Sequence, residues 1–241
     1  MAKTFKVLSA LLSYPTRELQ AADEELKGAL ESEALLPEPC RKSIVRMIDE
    51  IATGDLYDLQ ERYVFLFDRT RSLSLHLFEH VHGEGRDRGQ AMVDLMALYE
   101  ANGLCIDARE LPDYLPLFLE FLSTRPIEEA RELLSQPLSV LVALRERLTK
   151  RRSVYANVFF ALEALTKGKP APADLAALLE EAEDDPEDLA ALDKIWEDEV
   201  VTFGPGAAAG SACPMATDIL KRMEEQQPGS RSGSESGPDG V

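Results

Sequence analysis

Apolar residues recur along this chain at intervals of three and four, the period of helices that turn one face to a core. Phe5, Leu8, Leu11 and Leu12 mark such a face, and the pattern stops at Ser13-Tyr14-Pro15. Ile44, Val45, Ile48 and Ile51 repeat at helical spacing until Thr53-Gly54. Asp55 is placed to cap a following helix that carries Leu56, Leu59, Tyr63, Leu66 and Phe67 on its apolar side. Another helix is predicted from about Asp87 to Ala101, with Ala91, Leu95, Leu98 and Tyr99 inward and Asn102-Gly103 ending it. Leu115, Phe118, Leu119 and Leu122 follow Pro112, a residue suited to a helix start. Pro126 and Pro137 punctuate the next two segments in the same way, and Tyr155, Val158, Phe159, Leu162 and Leu165 form one more amphipathic face. No segment alternates convincingly with period two. The expectation is an all-α fold, a single bundle of about ten helices.

The pattern also divides the chain. Residues 1–202 read as one helical domain, whose last helix starts at Asp185-Pro186-Glu187-Asp188 with a capping acid, a first-turn proline and first-turn acids. Phe203–Pro214, "FGPGAAAGSACP", is a small-residue linker, and residues 215–225 hold a short helical pattern at Ile219, Leu220 and Met223. From Gln226 to Val241 there is almost nothing to bury, so a disordered tail is expected.

Charge narrows the classes of partner. Forty-four acids against 26 bases leave a formal net charge of −18, which argues against nucleic acid and suits a basic partner. Glu180–Glu199 concentrates the acid, with Lys194 as its one base. Three separated cysteines, Cys40, Cys105 and Cys213, supply neither a local metal cradle nor a disulfide framework, and fit a reducing cytoplasm. The apolar start is too short for a secretory core, and no stretch approaches a membrane span.

All three histidines fall in "SLHLFEHVHGEGRDRGQ", Ser74–Gln90. His76-Leu77-Phe78-Glu79-His80 spells H-x-x-E-H, the ligand pattern of a zinc peptidase class. On a helix, residues 76, 79 and 80 would share a face, with Glu79 as general base and Glu163 as a third ligand. Those peptidases are built around sheets, which this pattern lacks, so a zinc hydrolase is the lesser alternative. Phosphate-loop, dinucleotide-loop and nucleophile-elbow motifs are missing. The stretch instead mixes arginine, histidine, carboxylates and aromatic groups without a lysine, chemistry suited to directional contacts with a partner.

Tyr63–Leu95, "YVFLFDRTRSLSLHLFEHVHGEGRDRGQAMVDL", resembles the NarJ-type assembly chaperones of respiratory nitrate reductase, within the wider TorD/DmsD-like family of redox-enzyme maturation proteins. That family's Tyr-x-x-Leu-Phe motif is matched by Tyr63, Leu66 and Phe67. Its Pro-Asp-His motif stands here as Pro112-Asp113-Tyr114, with tyrosine in place of the imidazole. The resemblance covers roughly residues 3–200 and implies an all-helical, non-enzymatic cytoplasmic protein that holds no cofactor of its own. It implies binding of the basic, amphipathic N-terminal segment of the apo catalytic subunit of nitrate reductase. The subunit would be held for molybdenum cofactor insertion, and membrane docking delayed. Molybdenum cofactor delivery proteins are secondary candidates as partners, and another redox enzyme's twin-arginine leader is the alternative client. On this view Tyr63, Phe67 and Phe78 supply apolar contact, while Asp68, Glu79, Glu84 and Asp113 meet cationic side chains; Tyr63 and Phe67, i and i+4 on one helix, equally suit the core. Arg69, His76, His80, His82, Arg86 and Tyr114 complete the expected peptide-binding set, with no catalytic residue and no metal ligand. Protonation of the histidines would add positive charge there, so weaker peptide binding is expected at mildly acidic pH.

Overall fold

The computed structural model describes residues 2–81, 86–106 and 110–180, with only the backbone of Arg86 and Asp87. These residues belong to the first of two compact units, Met1–Leu192. The second unit, Asp193–Val241, lies outside the described residues, as do the helix expected from Asp185, the linker, the short helix at 215–225 and the tail.

Eleven α-helices and no strand occur among the described residues, in keeping with the all-α bundle the periodicity predicts. They run α1 Lys3–Leu12, α2 Arg17–Ala21, α3 Asp23–Glu33, α4 Glu38–Thr53, α5 Leu56–Tyr63, α6 Arg86–Ala101, α7 Leu115–Ser123, α8 Ile127–Ser135, α9 Leu138–Lys150, α10 Ala156–Leu165 and α11 Pro172–Glu180. None is long and apolar enough to cross a membrane.

Helix α1 packs on α7 and α3, while α9 packs on α10 and α11, and α10 reaches α4. The apolar face of α1 is buried through Phe5, Leu8, Leu11 and Leu12, and Ser9 Oγ donates to Pro116 O at 2.6 Å to hold α1 against α7. The N-terminus of α1 lacks a local cap. Glu33, at the end of α3, does that work: its carboxylate accepts from Lys3 N at 2.5 Å and from Thr4 N at 2.7 Å. A negative group there satisfies free N–H donors and complements the helix dipole. Asp55 caps α5 as its position predicts, accepting from Tyr57 N at 2.9 Å. Gly103, at φ +77°, ends α6 in the left-handed region that glycine tolerates.

Three expectations are corrected. The helix capped by Asp55 does not stay α-helical through Phe67: after Tyr63 it widens into a π-turn, Val64–Asp68, closed by Arg69 N donating to Val64 O at 3.1 Å. Pro112 does not open α7, which starts at Leu115 with Pro116 in its first turn. The H-x-x-E-H residues form no α-helix. His76 is extended and Leu77–Glu79 is a single 3₁₀ turn, so residues 76, 79 and 80 share no α-helical face.

Candidate functional site

The site is assembled around a short antiparallel bridge between two segments far apart in sequence, His76 facing Tyr114. Leu77 N donates to Asp113 O at 3.1 Å and Leu115 N to Leu75 O at 2.8 Å. Tyr99, buried on α6, donates its hydroxyl to Pro112 O at 2.9 Å, which fastens α6 to the same segment. The proline of the Pro-Asp-Tyr motif thus supplies a carbonyl anchor, and the two residues after it supply the bridge.

Asp113 is fully buried, and its carboxylate is used twice. Oδ1 accepts from His76 Nδ1 at 3.1 Å, and Oδ2 accepts from Phe78 N at 3.0 Å. The bond to Asp113 raises the His76 pKa above its ordinary value against the opposing effect of burial; the charges of Asp113, Glu79 and Glu110 add to the rise. The His76 and Tyr114 rings lie 5.4 Å apart. Tyr114 Oη and Tyr63 Oη are 3.0 Å apart, and Tyr63 Oη donates to Leu12 O at 2.9 Å. Burial, foremost, drives the Tyr63 pKa far upward, so this hydroxyl stays a donor.

Below this surface sits an aromatic stack. Tyr63 meets Phe67 at 5.0 Å between ring centroids, and Phe67 meets Tyr155 at 5.0 Å edge-on. Tyr63 and Phe67 are 3% and 6% exposed, so both belong to the core and support the surface from beneath. Asp113, likewise, lies beneath the surface and shapes it through His76 and the backbone it holds. Tyr63 and Phe67 suit the core as well as a contact surface in sequence, and the fold buries both.

Asp68 and Arg69, at the end of the π-turn, are exposed. Partial burial and the neighbouring charge of Glu110 raise the Asp68 pKa. Neither carboxylate has an ion-pair partner among the described residues. Glu110 also acts electrostatically on Tyr114 and His76, so it belongs to the same surface. The other face of the π-turn opens into a groove of about 310 Å³ lined by Tyr14, Tyr57, Gln60, Glu61, Val64, Phe65 and Arg69. Glu110, Tyr14, Tyr57 and Phe65 were not singled out by the periodicity. Tyr57, an aromatic residue among Asp55, Asp58, Gln60 and Glu61, was the available signal.

The remaining expected residues fall as follows. Glu79 Oε1 accepts from Arg88 Nη2 at 3.1 Å, tying the 3₁₀ turn to α6. His80 Nε2 donates to Ser74 O at 2.8 Å, and Phe78 is half-buried. His82 and Glu84 lie outside the described residues, and of Arg86 only its helical backbone is described. Glu163, the third ligand of the zinc reading, is 2.5 Å from Arg145 Nε. No group of three metal-ligating side chains occurs among the described residues.

A family model described as the nitrate reductase delta subunit matches residues 33–161, more than half of the chain, from the end of α3 into α10. This chain belongs to the nitrate reductase delta subunit family. It is 42% identical over 207 residues to the nitrate reductase molybdenum cofactor assembly chaperone NarJ of Escherichia coli K12, covering 86% of this chain and 87% of that one. NarW of the same strain is 39% identical over 198 residues, 82% of each chain. NarJ of Bacillus subtilis 168 is 34% identical over 161 residues, 67% of this chain and 86% of that one. The family is one of cofactor-assembly chaperones and is not enzymatic, which together with the missing helix overturns the zinc-hydrolase alternative.

Proposed function

We propose that this protein is a dedicated cytoplasmic chaperone of respiratory nitrate reductase. It binds the N-terminal segment of the apo catalytic subunit, keeps that subunit open for molybdenum cofactor insertion, and delays membrane docking until assembly is complete. Cofactor delivery proteins meet it in that complex, and the chaperone holds no cofactor itself. The relatives' names support the client, and the chain's −18 charge suits a basic segment.

One observation carries the binding reading. Asp68 and Glu110, both exposed and neither ion-paired among the described residues, lie within electrostatic reach of each other and of half-buried Tyr114. A lysine or arginine of the guest placed there removes the repulsion and gains charge-assisted bonds, each worth about 1.5–3 kcal/mol. The groove lined by Tyr14, Tyr57 and Phe65 takes an apolar anchor of the same segment, in a helix-in-groove mode.

Calorimetric titration of the full chain with the catalytic subunit's N-terminal peptide, with chelator present throughout, tests this. One-site saturable binding is expected. Asp68→Asn combined with Glu110→Gln is expected to weaken it about tenfold or more, the loss of one charge-assisted contact. Undiminished affinity in that double variant removes the acidic pair from the site, and no binding by the unaltered protein overturns the reading.

A further inference from the structure

Helix α6 is apolar on more than one side. Tyr99, Leu95 and Leu98 face inward, yet Val93 and Met96 are 55% and 41% exposed, with Ala97 exposed beside them. At 100° per residue Met96, Gly89, Val93 and Ala97 fall on one continuous stripe, and Glu100 closes it at the C-terminal end. A helix with apolar residues on both faces is ordinarily buried on both. Here the inner face meets the core and the outer face meets solvent.

The surroundings say what covers it. Asp94 flanks the stripe and accepts only from Gln90 Nε2 at 2.8 Å; neither Asp94 nor Glu100 has a cationic partner among the described residues. From Gly89 to Ala101 the helix carries no lysine or arginine, and its C-terminal end adds the negative pole of the helix dipole. A second copy of this chain laid across the same stripe would set these carboxylates against one another. Arg88 to Glu79 and Tyr99 to Pro112, on the inner side of α6, fasten the helix to the segments of the His76–Tyr114 bridge.

We propose that the outer face of α6, centred on Val93 and Met96, is a docking surface for a cationic amphipathic helix. Its apolar seam lies on Val93, Met96 and Ala97, and its lysine or arginine flank meets Asp94 and Glu100. This rests on the reading of the protein as a chaperone for a basic segment, and it extends that segment's footprint from the Asp68–Glu110 pair onto α6.

The experiment is hydrogen exchange of the full chain, with two probes titrated separately. One is the catalytic subunit's N-terminal peptide; the other is a synthetic helix with leucines at i, i+3, i+4 and i+7 flanked by lysines. Protection of residues 89–101 by the client peptide is expected. Val93→Gln with Met96→Gln, both exposed and outside the core, are expected to weaken its binding about tenfold, and Asp94→Asn with Glu100→Gln to lower its salt dependence. Protection by the synthetic helix when the client peptide fails to bind upholds the surface and overturns the assigned client. Client binding that leaves α6 unprotected and is indifferent to these substitutions overturns the surface and leaves the client reading intact. Protection of α6 by raising the protein's own concentration, with no probe, makes the face a contact between copies and overturns the proposal.

Discussion

Asp113 is the residue on which the site's geometry turns. It is fully buried, and it serves an imidazole and a backbone N–H from a segment 35 or more positions away. Asp113→Ala would leave His76 and Phe78 N without their acceptor and is expected to cost about 3 kcal/mol, read as a fall in the urea midpoint. Its partner titrates. Because the folded-state pKa of His76 is raised, the stability it contributes is fully present below its ordinary value of about 6.5 and is lost as pH rises through the higher folded value. The stability difference between the wild type and His76→Gln is therefore expected to be largest at mildly acidic pH and to shrink towards pH 8. Peptide affinity should run the other way. Protonated His76 sits beside Asp113, Glu79 and Glu110 and offsets their charge, so calorimetry should show binding of the basic segment weakening on acidification, with a midpoint above about 6.5.

At the scale of elements, two devices place the site. The π-turn Val64–Asp68 admits one extra residue per turn after α5, and Thr70 Oγ1 closes it by donating to Leu66 O at 2.7 Å. This delivers Asp68 and Arg69 to the surface while Tyr63 and Phe67 stay inside; π-turns of this kind are frequent at functional sites. Arg147, 1% exposed on α9, is the second device. Its Nη1 donates to Ser72 O at 2.7 Å and its Nη2 to Leu178 O, so one guanidinium joins the turn before His76 to the end of α11. Arg147→Ala would strand both carbonyls. It is expected to destabilise the fold by about 2–4 kcal/mol, and to speed hydrogen exchange in Pro172–Glu180 more than in α1 or α7.

For the molecule as a whole, the dominant property is its net charge of −18. Strong negative charge favours encounter with a basic segment and repels nucleic acid. Raising the salt from about 0.05 to 0.5 M shortens the Debye length to a few ångströms. Association with the client peptide should slow in stopped-flow measurements over that range, while dissociation, governed by the apolar groove and the α6 face, should change less. A salt-independent association rate would assign recognition to apolar contacts alone.

The sequence by itself determined the helical class and most helix starts. Those depend on local physics: a 3.6-residue period, capping by Asp55 and a stop at Gly103 are readable within one turn of chain. Through motifs of the Tyr63–Leu95 and Pro112–Tyr114 segments it also singled out His76, Asp113 and Tyr114, which the fold brings into contact. It did not reveal whether the apolar motif turns to a partner or to the core. Tyr63 and Phe67 obey a helical period that a π-turn then breaks, and their burial depends on Tyr155 and Leu12, which arrive from other helices. H-x-x-E-H is the same lesson reversed. Its spacing implies convergence only if the backbone is α-helical, and pairing of His76 with Tyr114 holds it extended instead. Glu110, the groove at Tyr14 and Tyr57, and the outer face of α6 became visible only in three dimensions. Each depends on what the fold leaves uncovered, and exposure is a property of packing between distant segments that no local pattern encodes.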